Sequence, residues 1–185
     1  RLGNFVLAED DRTLEGVVLA ELARQNATLS LVETFTSGQI AGRIAHLPGA
    51  EKIIRRGIVA RELNEVCAAV ALNGTSAIRE ITRETAEAVA RAAQRHTGAT
   101  HALAVLIDLD EGADRIEFAG TVCLAIATAN DVASRRSRIV GGRDWVRLGA
   151  VEMGLDCLRR FLQGLPVYER IDFEKVEEPA RQVTR

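Results

Sequence analysis

Leu29-Ser30-Leu31-Val32-Glu33-Thr34-Phe35-Thr36-Ser37-Gly38 reads as a strand that ends at Glu33 and passes through small and hydroxyl residues into a helix. The helix is expected from about Ser37 to Leu47, because Ile40, Ile44 and Leu47 share one face and Pro48-Gly49 stops it. N–H groups at a helix start lack intrahelical partners and carry the positive end of the dipole, so an anion or a developing oxyanion can sit there. The same ten residues also fit an ordinary strand-to-helix connection, which is common in α/β proteins.

Working outward, helix and strand patterns alternate. Leu14, Val17, Val18 and Leu22 mark a first helix, with Asp10 and Asp11 as candidate caps. Ile53–Ala60 reads as a second strand and Leu63–Leu72 as a short helix ended by Asn73-Gly74. Thr82 caps a helix with Ala86, Val89, Ala90 and Ala93 inside, and Gly98 lies just beyond it. Ala102–Ile107 is uninterrupted and apolar, as a strand covered on both faces should be. Glu117–Thr128 and Ser134–Val140, joined by Ala129-Asn130-Asp131, read as an antiparallel hairpin. A last helix over Arg143–Gln163 carries Val146, Ala150, Met153, Cys157, Leu158 and Phe161 on one stripe and ends at Gly164 and Pro166. The expected fold is a three-layer α/β/α sandwich around a mixed sheet over residues 1–165, followed by a charged tail over 166–185.

Composition fits one well-filled domain. The chain has 185 residues, of which 47% are hydrophobic, and its formal net charge is -2. Cys67, Cys123 and Cys157 are odd in number, widely spaced and set in apolar contexts, so neither a disulfide framework nor a metal site is expected. With no signal peptide and no apolar run near membrane-spanning length, the expectation is a cytoplasmic protein without a membrane partner. Aromatic residues make up only 4%, which speaks against a nucleic-acid stacking surface. His46, His96 and His101 have no ligand spacing and read as structural.

The opening stretch resembles the Glu-Ser-Cys-Thr-Gly-Gly signature of the CinA C-terminal domain, the family of nicotinamide-nucleotide amidohydrolases. The likeness runs on in order. Ala41–Gly49 resembles the family's helix and turn, Arg56-Gly57-Ile58-Val59 its Gly-aromatic-Val strand, and Ile81-Thr82-Arg83-Glu84 its Val-Ser-Glu-Glu helix start. Gly120-Thr121-Val122 matches Gly-Thr-Val, and Gly142-Arg143-Asp144-Trp145-Val146-Arg147 resembles Gly-Asp-Arg-x-x-Val-Arg. Even Arg1–Leu14 resembles the approach to this domain, which together with the non-Met start suggests a piece of a longer chain with an upstream molybdopterin-binding-fold domain. The resemblance implies a nucleotide site at Thr36, Ser37, Gly38, Gly120, Thr121, Arg143 and Arg147, with Arg143 on phosphate. It further implies no cofactor and no metal, a ligand such as nicotinamide mononucleotide, and a homo-oligomer.

The departures fall where the family's chemistry lies. The family's nucleophilic Ser is Thr34, and the first Gly of its Gly-Gly pair is Ser37. Its Tyr-Ser-Asn-Glu-Ala-Lys stretch, which supplies the base, is Arg61-Glu62-Leu63-Asn64-Glu65-Val66-Cys67; the chain's only lysines are Lys52 and Lys175. Its Gly-rich loop is replaced by the acidic run from Asp108 to Asp114, which would repel a phosphate. A Ser-Lys hydrolase needs a hydroxyl whose proton is taken by a neutral lysine. Thr34 is stiff at χ1, and loss of a general base costs roughly 10²–10⁴-fold in rate. Glu33 is the candidate replacement base if burial raises its pKa, or else an acceptor for loop N–H groups. Cys67 reads as packing. Arg135, Arg136 and Arg138 with Arg143 and Arg147 form one basic cluster in sequence, either a phosphate site or a solvated face.

Two readings follow. The domain is a catalytically degenerate relative with a nucleotide, phosphate or assembly role, favoured because Ser, Lys and the Gly-rich loop are lost together. Alternatively it is an active amidohydrolase, with Thr34 attacking the carboxamide and the N–H groups of Thr36–Gly38 holding the oxyanion.

Overall fold

The computed structural model describes residues 12–72, 80–112, 115 and 119–168. Five strands form one mixed sheet in the order β2-β1-β3-β4-β5. They are β1 (Leu29–Glu33), β2 (Ile54–Val59), β3 (His101–Leu109), β4 (Ala119–Ala127) and β5 (Val132–Val140). β1 runs parallel to both β2 and β3, and the β3-β4-β5 part is antiparallel. The expected mixed sheet with helices is therefore present.

Helices α1 (Leu14–Arg24), α2 (Gln39–Ala45), α3 (Ala50–Ile53) and α6 (Gly142–Leu162) cover one face, while α4 (Leu63–Ala69) and α5 (Arg83–Thr97) cover the other. Side chains alternate across a strand, and β3 sorts its residues accordingly. Leu103, Val105 and Ile107 join Leu22, Ile40, Met153 and Leu158 in one core. Ala102, Ala104 and Leu106 join Val66, Val89, Ala90 and Ala93 in the other. The α5 face is mostly alanine against alanine, small on both surfaces, whereas the α6 face is filled by large aliphatic side chains.

The element boundaries differ from the sequence reading in instructive ways. The first helix is capped by Thr13, whose side chain accepts from the Gly16 N–H; Asp10 and Asp11 lie outside the described residues, as do Asn73, Gly74 and Glu117. Ile53 closes α3, a single turn after Gly49 that the sequence pattern did not reveal, so the second strand starts one residue later than expected. Thr82 caps α5 by accepting from the Thr85 N–H, and Gly98 ends it at φ +66°, as read.

Two contacts set how the α6 layer sits. Gly120 faces α6, and a Cβ there would lie 2.7 Å from Val146 Cγ1 and 3.2 Å from the Asp108 carbonyl oxygen. The missing side chain is what lets α6 lie against β4. Arg43 of α2 joins three helices, donating to Glu15 of α1 at 2.7 Å and to Glu152 of α6.

Gly120→Ala is expected to destabilise the domain by about 1–3 kcal/mol through overpacking, read as a lower urea midpoint; unchanged stability would mean that α6 does not approach so closely. Burial pushes the Glu15 carboxyl up, but hydrogen bonds led by that of Arg43 outweigh it and hold the group below its ordinary value. A depressed carboxylate stabilises above its unfolded pKa and loses that contribution as pH falls through the folded one. Arg43→Ala should thus lower Tm clearly at pH 7 and much less at pH 3, and a pH-independent gap would refute the ion-pair account.

Candidate functional site

The site forms at the carboxyl end of the parallel strands, the usual crevice of an open α/β sheet. β1 ends in Glu33, which is 1% exposed. Its carboxylate accepts hydrogen bonds from the Ile40 N–H at 3.2 Å and the Ala41 N–H at 2.9 Å. Both oxygens cap the first turn of α2, where the helix dipole also favours negative charge. Of the two roles open to Glu33, the geometry is that of the acceptor.

The turn between them is tight. The Ser37 N–H donates to the Thr34 carbonyl and the Gln39 N–H to the Thr36 carbonyl. Ser37 and Gly38 both take left-handed φ angles, 57° and 83°, a conformation that glycine adopts without steric cost and serine does not. Ser37 offsets part of that cost by donating its hydroxyl to the Phe35 carbonyl at 3.2 Å. Thr34 is 1% exposed, and its Oγ1 accepts from the Ile107 N–H of β3 at 3.0 Å. Thr36 Oγ1 is buried without a hydrogen-bond partner.

Phe35, 7% exposed, draws two cations to this turn. The Arg61 guanidinium, from the β2–α4 connection, lies 4.9 Å from the ring centroid, and that of Arg143, from the first turn of α6, lies 5.5 Å away. Both distances suit a cation–π contact. Arg143 is thereby brought beside the Thr34–Gly38 turn. The sequence reading missed Phe35 and Arg61 as site residues, although one lies in the opening stretch and the other replaces a residue of the family's base-bearing run.

Other expected residues divide between the two faces of the sheet. Gly120 faces α6, and Thr121, one residue on, faces the opposite layer beside Asp108, its cross-strand partner. The basic cluster divides for the same reason. Arg135 turns inward and donates to the Val167 carbonyl at 2.9 Å, Arg136 is exposed, and Arg138 holds Asp110 through bonds of 3.1 and 2.6 Å. Arg147 pairs with Asp144 one turn into α6. Asp110 is thus engaged with Arg138 and with the Ala119 N–H; residues 113–114 lie outside the described ones.

No lysine stands at this end of the sheet among the described residues. Lys52 belongs to α3, at the opposite end, where it lines a cleft of about 540 Å³ with Asn26, Thr28 and Pro48. Cys67 is buried in the α4–α5 core, and burial pushes the Cys123 thiol up to about 11. A second cleft, about 570 Å³, opens beside the turn between Ser37, Gly38, His46, Leu148 and Glu152. No cluster of residues able to hold a metal ion occurs among the described residues. No helix there is long and apolar enough to cross a membrane.

Comparison with known proteins agrees with this architecture. The CinA C-terminal domain model matches residues 11–162. A CinA-like protein from Frankia casuarinae is 35% identical over 167 residues, covering 89% of this chain and 39% of its own. One from Geotalea daltonii is 36% identical over 171 residues, with coverage of 89% and 41%. The chain thus spans about two fifths of the length of these relatives. In fold it is similar to the CinA superfamily protein of Klebsiella pneumoniae 700603, with a TM-score of 0.69 at 16% identity over 83% of this chain and 99% of that one. The Escherichia coli superfamily protein gives 0.67 at 20% identity, covering 89% and 99%. By the family match and by these identities, the chain belongs to the CinA C-terminal domain family.

Proposed function

We propose that this domain binds a nucleotide through its phosphate at Arg143, which Phe35 positions, and does not hydrolyse an amide. The observation that carries this reading is the placement of Thr34. Its oxygen is buried and accepts the Ile107 N–H, so the hydroxyl is held between β1 and β3 and shielded from an approaching carbonyl. A nucleophile must also lose its proton to a neighbouring base. Glu33 has both oxygens occupied by helix N–H groups, and Lys52 sits at the far end of the sheet.

The binding half of the site is better supplied. Arg143 is the residue on which the family resemblance places phosphate, and the Phe35 ring holds its guanidinium next to the turn. A planar guanidinium meets phosphate oxygens with two parallel hydrogen bonds. The substrate class that the resemblance brings is a pyridine mononucleotide, with nicotinamide mononucleotide as the first ligand to test.

Two measurements on the purified domain address the two halves. Ammonia release from nicotinamide mononucleotide should not exceed that of Thr34→Ala; turnover lost in that variant would establish an active threonine amidohydrolase instead. Arg143→Ala should weaken nucleotide binding in calorimetry at least tenfold, in keeping with about 1.5–3 kcal/mol for a hydrogen bond to a charged group. Unchanged affinity would remove Arg143 from the site.

A further inference from the structure

The chain's one tryptophan faces solvent. Trp145, in the first turn of α6, is 64% exposed, and Leu148, one turn on, is 47% exposed. They line one shallow hollow with Val140, the exposed end of β5. Large apolar side chains gathered in water mark a surface for association, and tryptophan is among the residues that most often anchor one. The indole is also held in position. Gly141, at φ +119°, lies so close to it that a Cβ there would be 3.0 Å from Trp145 Cβ, Cγ and Cδ1. A side chain fixed before contact loses little freedom on binding.

On the other flank of Leu148 the surface falls away. The cleft of about 570 Å³ between α2 and α6 is lined there by Leu148, Val151 and Glu152 from one helix and by Gly42 and His46 from the other. Gly42 keeps it open, since a Cβ at that position would meet no atom of the described residues within 4 Å. A helix turns once in about 3.6 residues, so residues three before and three after a given one lie about 60° to either side of it and about 4.5 Å along the axis in either direction. Trp145 and Val151 stand in that relation to Leu148. A two-fold axis passing out of α6 through Leu148 therefore exchanges their positions and lays the Trp145 of one copy on the Val151 of the other, over the cleft. An anchor and a hollow related in this way make a self-complementary face, which is what an isologous dimer requires. Charge does not oppose it, because Arg147 is paired with Asp144, and Arg43 with Glu15 and Glu152.

We propose that this face binds a second copy of the chain, with α6 packed antiparallel on α6 about Leu148 and each Trp145 seated in the cleft of the other copy. The inference stands apart from the nucleotide reading. It adds that the cleft beside the Ser37–Gly38 turn is completed by a side chain from a second protomer.

Sedimentation velocity of the 185-residue chain over a dilution series is expected to show a reversible dimer. Because the tryptophan is single, its emission should move to the red as the dimer is diluted and the indole enters water. Two variants address the two halves of the contact. Trp145→Ala changes an exposed residue, and Gly42→Leu fills the cleft where there is room while replacing glycine by a better helix former. Both should melt as a folded domain, and each should weaken dimerisation by about thirtyfold or more. Mixing them restores one of the two contacts, because the Trp145 kept by the Gly42→Leu chain fits the open cleft of the Trp145→Ala chain. The mixture should thus associate more tightly than either variant alone. A wild-type chain that stays monomeric at high concentration would overturn the proposal and give the face to a different partner. So would a dimer that both variants retain, or a mixture no tighter than its components.

Discussion

The buried carboxylate of Glu33, joined to the first N–H groups of α2, is the contact on which the rest of this site depends. A buried anion without partners is costly, and here the partners are donors that a helix start leaves unpaired. Each solves the other's problem. Because the chain must travel from Glu33 to Ile40 and return within hydrogen-bond reach, the turn between them is compact, and Ser37 and Gly38 are driven into the left-handed region. That geometry in turn fixes where Phe35 and the two arginines meet.

This division of labour has a consequence for chemistry. Glu33 as a helix cap and Thr34 as a strand tie are both structural uses of groups that could otherwise serve catalysis. Thr34 binds β1 to β3 with its side chain just where the backbone ladder ends. The methyl group of threonine restricts χ1, which suits a fixed acceptor better than an attacking nucleophile. The β2–α4 connection and α6 each bring one guanidinium to the Phe35 ring.

The arginines of β5 and of the end of α6 are used separately. Alternation along β5 sends Arg135 toward α6 and Arg136 and Arg138 to the other face. Arg159 and Arg160 near the end of α6 share the carboxylate of Asp156. A run that looks like one basic patch in sequence is thus several separate uses of guanidinium, some of them inside the fold. Among the described residues, Arg61 and Arg143 converge on the ring of Phe35.

The layered fold, the strand-to-helix turn at Leu29–Gly38 and the helix caps at Thr82 and Gly98 were legible in the sequence, because periodicity and cap chemistry are local properties. The relation to the CinA C-terminal domain was legible too, from short motifs in the right order. The acceptor role of Glu33 was one of two readings open in the sequence; the role of Thr34 as a tie between strands was not legible, since a hydroxyl reads alike whether it joins strands or attacks a substrate until its partners are placed. Nor was the split of Gly120 from Thr121 and of Arg135 from Arg138, which follows from strand register and from which helix covers which face. The pairing of Arg61 with Arg143 joins residues 82 positions apart through Phe35. Local sequence decides which elements form; only their packing decides which charges meet.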